Sequence, residues 1–203
     1  MVAANGLVAS EVIWRVVPLE TPRVLRHCAK CRATRQFASS EKFRLNAQQH
    51  KVDVWLIYKC LQCESTWNYT IISRKTAQEI DAVLYARFQQ NDRELAWTYA
   101  FNFRLLSQAG VQIDASVSVR VEPRIINGSA SARQEPKIRL ELPYPGIIRL
   151  DRLLAEQLHL TRSTLQRWFD GGKLCIWPED KKALRRPARH GQIISLRDDS
   201  LVS

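Results

Sequence analysis

Apolar positions alternate or cluster in β-branched runs over the first 75 residues and then switch to helical spacing. Residues 11–26 (EVIWRVVPLETPRVLR) predict a strand, a proline-marked turn and a short extended piece leading into Cys28. KFRLNA and then VDVWLIYK predict strand structure ending at Cys60, and STWNYTIISR, residues 65–74, predicts the returning strand. Thr76 with Glu79 forms a capping-box pattern ahead of Ile80, Val83, Leu84 and Phe88, which fall on one face of a first helix. Asn91 and Asp92 interrupt it. A second helix then runs to Gly110, with Leu95, Ala96, Tyr99, Phe103 and Leu106 as its buried stripe. Its aromatic residues, Trp97, Tyr99, Phe101 and Phe103, sit at core spacing in a neutral segment and are assigned to the core, not to base stacking.

From Val111 to Val121 the chain alternates as a half-buried strand ended by Pro123. Residues 127–136 (NGSASARQEP) lack periodicity and read as a linker, so a domain boundary is expected there or at Pro143–Gly146. Beyond it, Leu150, Leu153, Leu154 and Leu158 mark one helix. Thr161 or Ser163 opens another, carrying Leu165, Trp168 and Phe169. Gly171-Gly172 stops that helix before the strand KLCIW, and a polar stretch leads to a last strand, QIISL.

The chain holds five cysteines, and nothing at its start reads as an export signal. They are therefore expected to be reduced in the cytoplasm, where metal binding outranks disulfide formation. No window approaches the roughly 18 apolar residues of a membrane helix, and no membrane association is expected. Cys28, Cys31, Cys60 and Cys63 form two C-x-x-C pairs separated by 28 residues. Each pair makes a tight knuckle, and the intervening strands can bring the knuckles together around one tetrahedral ion. Four thiolates leave no open position for a water, so the expected cofactor is one structural Zn2+ that fixes the fold. Such binding contributes about 10–16 kcal/mol in zinc-finger peptides. The alternatives are four buried reduced cysteines or an iron–sulfur cluster, which also uses four thiolates; strand-borne knuckles favour zinc. His27, outside the knuckle, is expected at the surface or beside the ligands, and Cys175 as a small core residue.

Net charge is +11, and it lies at the two ends. Residues 1–75 carry 12 Lys+Arg against 5 Asp+Glu, residues 76–146 carry 8 against 8, and residues 147–197 carry 11 against 5. Two basic lobes fit a polyanion, although a merely solvated basic surface has the same composition.

Arg149-Leu150-Asp151, Arg162-Ser163, Gly172 and Gly191-Gln192-Ile193 resemble the signature of the RNA-binding module named after ribosomal small-subunit protein S-four. Gln192 stands where that module usually has Asp, and WPEDKK replaces its short turn. The resemblance implies that phosphates meet Arg149, Arg152, Arg162, Ser163, Arg167 and Lys173, with Arg185 and Arg186 on the adjoining basic stretch. A helix N-terminus and planar guanidinium forks suit that contact. WRV, KFRLNA, VDVWLIYKC, TWN and RLDRLLAEQL along the chain resemble a bacterial family catalogued as domain of unknown function 1062, which implies a cytoplasmic bacterial protein with a zinc-ribbon-like front.

The predicted fold is α+β. A zinc-ribbon-like β domain with a helical pair and extra strands spans 1–146 (ribbon 11–75, helices 76–109, strands 111–142), and a small α+β RNA-binding-like module spans 147–203. No Gly-rich phosphate loop, Ser/His/Asp set or H-E-x-x-H motif is present, and the four histidines are scattered singly, so neither catalysis nor a small-molecule substrate is expected. The leading expectation is a non-catalytic protein that binds structured ribosomal or transfer RNA. The alternative is an adaptor that docks a protein partner through the ribbon and the helical middle.

Overall fold

The computed structural model describes residues 11–48, 50–126 and 137–197. Its strands and helices, in chain order, are β1 (Glu11–Pro18), β2 (Arg23–Cys28), β3 (Ala33–Gln48), β4 (Lys51–Cys60), β5 (Thr66–Thr76), α1 (Ala82–Gln89), α2 (Arg93–Ala100), α3 (Phe103–Gln108), β6 (Gln112–Asp114), β7 (Val119–Ile126), β8 (Lys137–Glu141), α4 (Leu150–Leu158), α5 (Arg162–Asp170), β9 (Leu174–Trp177) and β10 (Ile193–Leu196). The α+β class is as the periodicity predicts. Two compact units result: Glu20–Val117, and a second built from residues 1–19 together with 118–203.

The first unit is a five-stranded antiparallel sheet in the order β5-β4-β3-β2-β6. Alternation along β4 places Val52, Val54, Leu56, Tyr58 and Cys60 on one buried face. Phe88, Leu95, Ala96, Ala100 and Leu106 from the helices join them in a single core. A bulge in β3 between Ser39 and Phe43 turns Glu41 toward α2. There its carboxylate accepts from the Trp97 indole N–H at 2.7 Å and from Arg93 Nε at 2.8 Å. Asn91 Oδ1 accepts from the Phe43 N–H at 2.7 Å, a second clip between helix and sheet.

Three short helices replace the predicted pair. The Thr76–Glu79 box closes a 3-10 turn at Ala77–Glu79, and Asp81 caps α1 instead. Val83, placed on the apolar face by its spacing, is 69% exposed. Asn102 breaks the second run because its side chain accepts from the Leu105 N–H and starts α3 anew.

The second unit is a five-stranded sheet in the order β7-β1-β8-β10-β9. β1, predicted as part of the ribbon, lies parallel to β8 and antiparallel to β7. Residues 111–121, predicted as one strand, divide into β6 and β7, which join different sheets. β7 runs through Pro123, which pairs with Trp14; as an edge strand it needs no ladder bond from the missing N–H. The compact division therefore differs from the expected 1–146 and 147–203: β1, β7 and β8 complete the sheet of β9 and β10. The predicted linker 127–136 lies outside the described residues. Buried Leu150, Leu153, Leu154 and Leu165 of α4 and α5 share the core of this unit with Leu140, Leu174, Ile176 and Ile194. Thr161 caps α5 by accepting from the Thr164 N–H. Among the described residues no helix is long and apolar enough to cross a membrane.

Candidate metal centre and basic surface

In an antiparallel meander, alternate turns fall at the same end of the sheet. The β2–β3 turn carries Cys28 and Cys31, and the β4–β5 turn carries Cys60 and Cys63. The 28-residue separation is thus the length of β3 running out and β4 returning. Register aligns the ends, with Cys28 opposite Ala33 and Cys60 opposite Phe37. The second knuckle is tied to β3 by Leu61 N–H donating to Gln36 O at 2.9 Å, and to itself by Glu64 N–H donating to Cys60 O at 2.9 Å. Both knuckles turn the same way: the residue after each second cysteine, Arg32 or Glu64, is left-handed with φ of 51° or 58°.

All four sulfurs lie within 4.8 Å of one another. Cys28 and Cys63 Sγ are 3.5 Å apart, and Cys31 and Cys60 Sγ are 3.9 Å apart. Disulfide sulfurs approach to about 2.05 Å, so these are free thiols. A tetrahedral ion with metal–sulfur bonds of about 2.3 Å places its ligands about 3.8 Å apart, which matches these edges. The four cysteines can therefore hold a metal ion, and their donor chemistry suits one that takes four sulfurs in a closed shell.

Ser65 supplies what the cysteine spacing does not reveal. Its hydroxyl lies 3.2 Å from Cys28 Sγ and 3.1 Å from Cys63 Sγ, placed to donate to a thiolate. Competing for protons among themselves, the thiols of Cys28, Cys31 and Cys63 are unequal. The Ser65 hydroxyl, aided by a backbone N–H, draws Cys28 down to about 6, and the same hydroxyl draws Cys63 down. Its hydrogen bond with Cys63, then burial, pushes Cys31 up to about 12. Behind the cluster the Arg26 guanidinium lies over the Trp67 ring at 4.5 Å and the Phe37 ring at 5.5 Å, a half-buried cation near the thiolates. His27 is exposed, and the cluster found among the described residues contains cysteines alone. Cys175 is half-buried, with its thiol donating to Gly172 O at 3.4 Å, and alternates away from buried Leu174 and Ile176.

The basic residues of the C-terminal segment are not equivalent. Arg149 forks onto buried Asp151 at 2.7 Å, Arg152 pairs with Glu156 at 2.8 Å and Arg186 with Asp180 at 3.0 Å. Lys173 is half-buried with its ammonium over the Trp168 ring at 5.1 Å. Ser163 shares its hydroxyl with Thr161 at 2.9 Å. Arg162, Arg167 and Arg185 are exposed and make no ion pair among the described residues. Arg162 is the first residue of α5 and Arg167 lies in its last turn.

A family model matches residues 45–180, two thirds of the 203-residue chain. The chain belongs to the family described as Protein of unknown function (DUF1062). The DUF1062 match takes in Cys60 and Cys63, the helices and β9, while Cys28 and Cys31 precede it. Neither the comparison with curated proteins nor that with solved structures gives a match.

Proposed function

We propose that the protein is a non-catalytic, cytoplasmic RNA-binding protein. One structural Zn2+ held by Cys28, Cys31, Cys60 and Cys63 makes its first unit rigid, and the helix pair of the second unit grips structured RNA. Zinc is the reading that four thiolates at these separations favour, because the ion accepts four sulfurs tetrahedrally with no geometric penalty. Reduced thiols fit a reducing compartment. A bacterial origin is what the family resemblance implies.

The observation that carries the RNA reading is that, among the described residues, the exposed Arg162 and Arg167 on α5 and Arg185 beyond β9 make no ion pair. An arginine already neutralised by a carboxylate releases few counterions on binding, whereas an unpaired one contributes fully. Arg149, Arg152 and Arg186 thus move from direct phosphate contact to shaping the surface. The order α4, α5, β9, β10 also follows the order in which the S-four-type signature residues occur, with Arg149 before α4, Gly172 before β9 and Gly191 before β10. Contacts of this kind read shape and phosphate more than sequence.

A mobility-shift titration of the full chain against total bacterial RNA tests the proposal. Affinity should fall steeply with salt, with a log–log slope of about −2 to −3 for three phosphate contacts. Arg162→Glu with Arg167→Glu should abolish the shift while circular dichroism is unchanged. Binding that ignores salt, or survives the double substitution, rules the surface out.

A groove supports the adaptor reading as a second possibility. β5 is an edge strand, and Trp67–Ile71 line a cavity of about 450 Å3 with Leu105, Gln108 and Ala109. An extended peptide can add to such an edge. Capture of a single protein after nuclease treatment, lost on Leu105→Glu, would favour it.

A further inference from the structure

Two stretches of the second unit run beside each other and enclose a cleft that the proposed RNA surface does not use. The chain between β8 and α4 is tied at one end by Leu142 N–H donating to His190 Nδ1 at 3.3 Å. At the other end Ala188 N–H donates to Ile148 O at 2.9 Å. Between the ties lie Pro143 and Pro145, whose rings fix φ, and Gly146 at φ 72°, a conformation a side chain would strain. The cleft measures about 420 Å3 and is lined by Leu142, Pro145, Gly146, Pro187, Arg189 and His190, among others. That volume is within the range of about 300–1,000 Å3 typical of small-molecule sites.

Its chemistry is one-sided. Leu142, Pro145 and Pro187 offer apolar surface, Arg189 and His190 bring polar side chains, and among the described residues no carboxylate lines it. The Arg189 guanidinium makes no ion pair among the described residues. Because His190 Nδ1 accepts the Leu142 N–H, the imidazole is held in the tautomer that carries its hydrogen on Nε2. The cleft therefore presents a guanidinium fork and an imidazole N–H beside proline rings, which match an oxyanion attached to something flat and weakly polar.

We propose that this cleft binds a phosphomonoester carried next to a flat ring, the chemistry shared by a free mononucleotide and by the phosphorylated end of an RNA. The RNA-end form rests on the function proposed above; the mononucleotide form does not. Arg189 takes two phosphate oxygens, His190 Nε2–H donates to a third, and the ring lies against Pro145 and Pro187.

Isothermal titration of the full chain with AMP, GMP, CMP and UMP, their nucleosides and inorganic phosphate tests this. At least one mononucleotide should bind ten times or more tightly than both its nucleoside and phosphate alone. Arg189→Gln should weaken it at least tenfold. His190→Asn, whose side-chain oxygen can still accept from Leu142 N–H, should do the same with the fold intact by circular dichroism. Arg162→Glu with Arg167→Glu should leave mononucleotide binding unchanged. Short RNA oligomers with and without a terminal phosphate, used as competitors, separate the two sources. Displacement only by phosphorylated ends assigns the cleft to RNA termini, and no displacement assigns it to free nucleotides. A nucleoside that binds as well as its nucleotide, or phosphate that binds as well as either, overturns the proposal, as does no binding by any of them. Loss of the RNA mobility shift with mononucleotide binding retained would instead overturn only the RNA function.

Discussion

Arg32 and Glu64 occupy the same place in the two knuckles, one residue past the second cysteine, in a backbone region that costs a side-chain-bearing residue about 1 kcal/mol or more. Both backbones need glycine-like freedom, and neither residue supplies it. Glu64→Gly should therefore stabilise the first unit by about 1 kcal/mol, less the extra entropy glycine gives the unfolded chain, and should leave metal content unchanged. Chemical denaturation with metal analysis checks both parts, and a lower midpoint would show that the Glu64 side chain contributes something the φ angle does not reveal. Tyr58 is a different residue-scale case. Its hydroxyl is buried with no partner among the described residues, and burial pushes its pKa up. An unsatisfied buried hydroxyl costs about 1–3 kcal/mol, so Tyr58→Phe should raise the midpoint, the reverse of most core substitutions. The ring itself is retained against Trp67 and Tyr69 at 5.2 and 6.2 Å.

At the scale of elements, the strand–turn–strand clasp that carries the second C-x-x-C, and the turn that carries the first, were legible because their signals are local. VDVWLIYK alternates with the pleat, and β4 ends at Cys60 as that alternation requires. The start of α5 at Thr161 and the helix stop at Gly110 were legible too, since both residues act through their own backbone neighbours. What the sequence did not yield depends on partners far along the chain. Nothing in EVIWRVVP says that its neighbours will be β7 and β8 rather than β2, and the alternation from Val111 to Val121 hides a crossing between two sheets. Ser65 was missed for a related reason: it read as the first residue of a strand, and only convergence of Cys28 on Cys63 gives its hydroxyl two sulfurs to serve. This convergence has a pH signature. A metal binds thiolates and displaces their protons, so affinity falls as pH falls. With Cys28 drawn down to about 6, that site stays deprotonated through neutral pH, while Cys31, pushed up to about 12, releases its proton only to the metal. Ser65→Ala removes the principal cause of the lowered values, so its loss of zinc affinity should be larger at pH 6 than at pH 8. Competition titration with a chromophoric chelator at the two pH values measures the difference, and an equal loss at both would assign Ser65 a purely structural part.

The whole molecule divides the chain in a way that puts the candidate metal site in one unit alone. Glu20–Val117 contains all four cysteines and its own apolar core, whereas the second unit gathers residues 11–19 and 118–197 around Leu140, Leu150, Leu154 and Ile194 and contains no part of the cluster. Metal binding stabilises only the folded form of the unit that holds the site. The contribution of an ion held by the four cysteines would therefore belong to the meander, and most directly to its knuckle end, where Cys28 and Cys60 complete the buried rows of β2 and β4. Toward the opposite end of β3, at its bulge, Glu41 and Asn91 clip the helices to the sheet without any metal. Removing the ion with a strong chelator at neutral pH should first expose amides of residues 28–37 and 57–67 to hydrogen exchange and then those of the rest of the first unit. Amides of β1, β8 and β10 should keep their protection, because their ladder pairs Glu11–Arg15 with Lys137–Glu141 and Ile193–Ser195 with Lys137–Arg139, wholly within the second unit. Hydrogen exchange read by mass spectrometry resolves these segments in one experiment. Uniform deprotection across both units would mean that they fold as one cooperative body, and unchanged protection at the knuckles would mean that packing around Phe37, Tyr58 and Cys60 suffices to hold them.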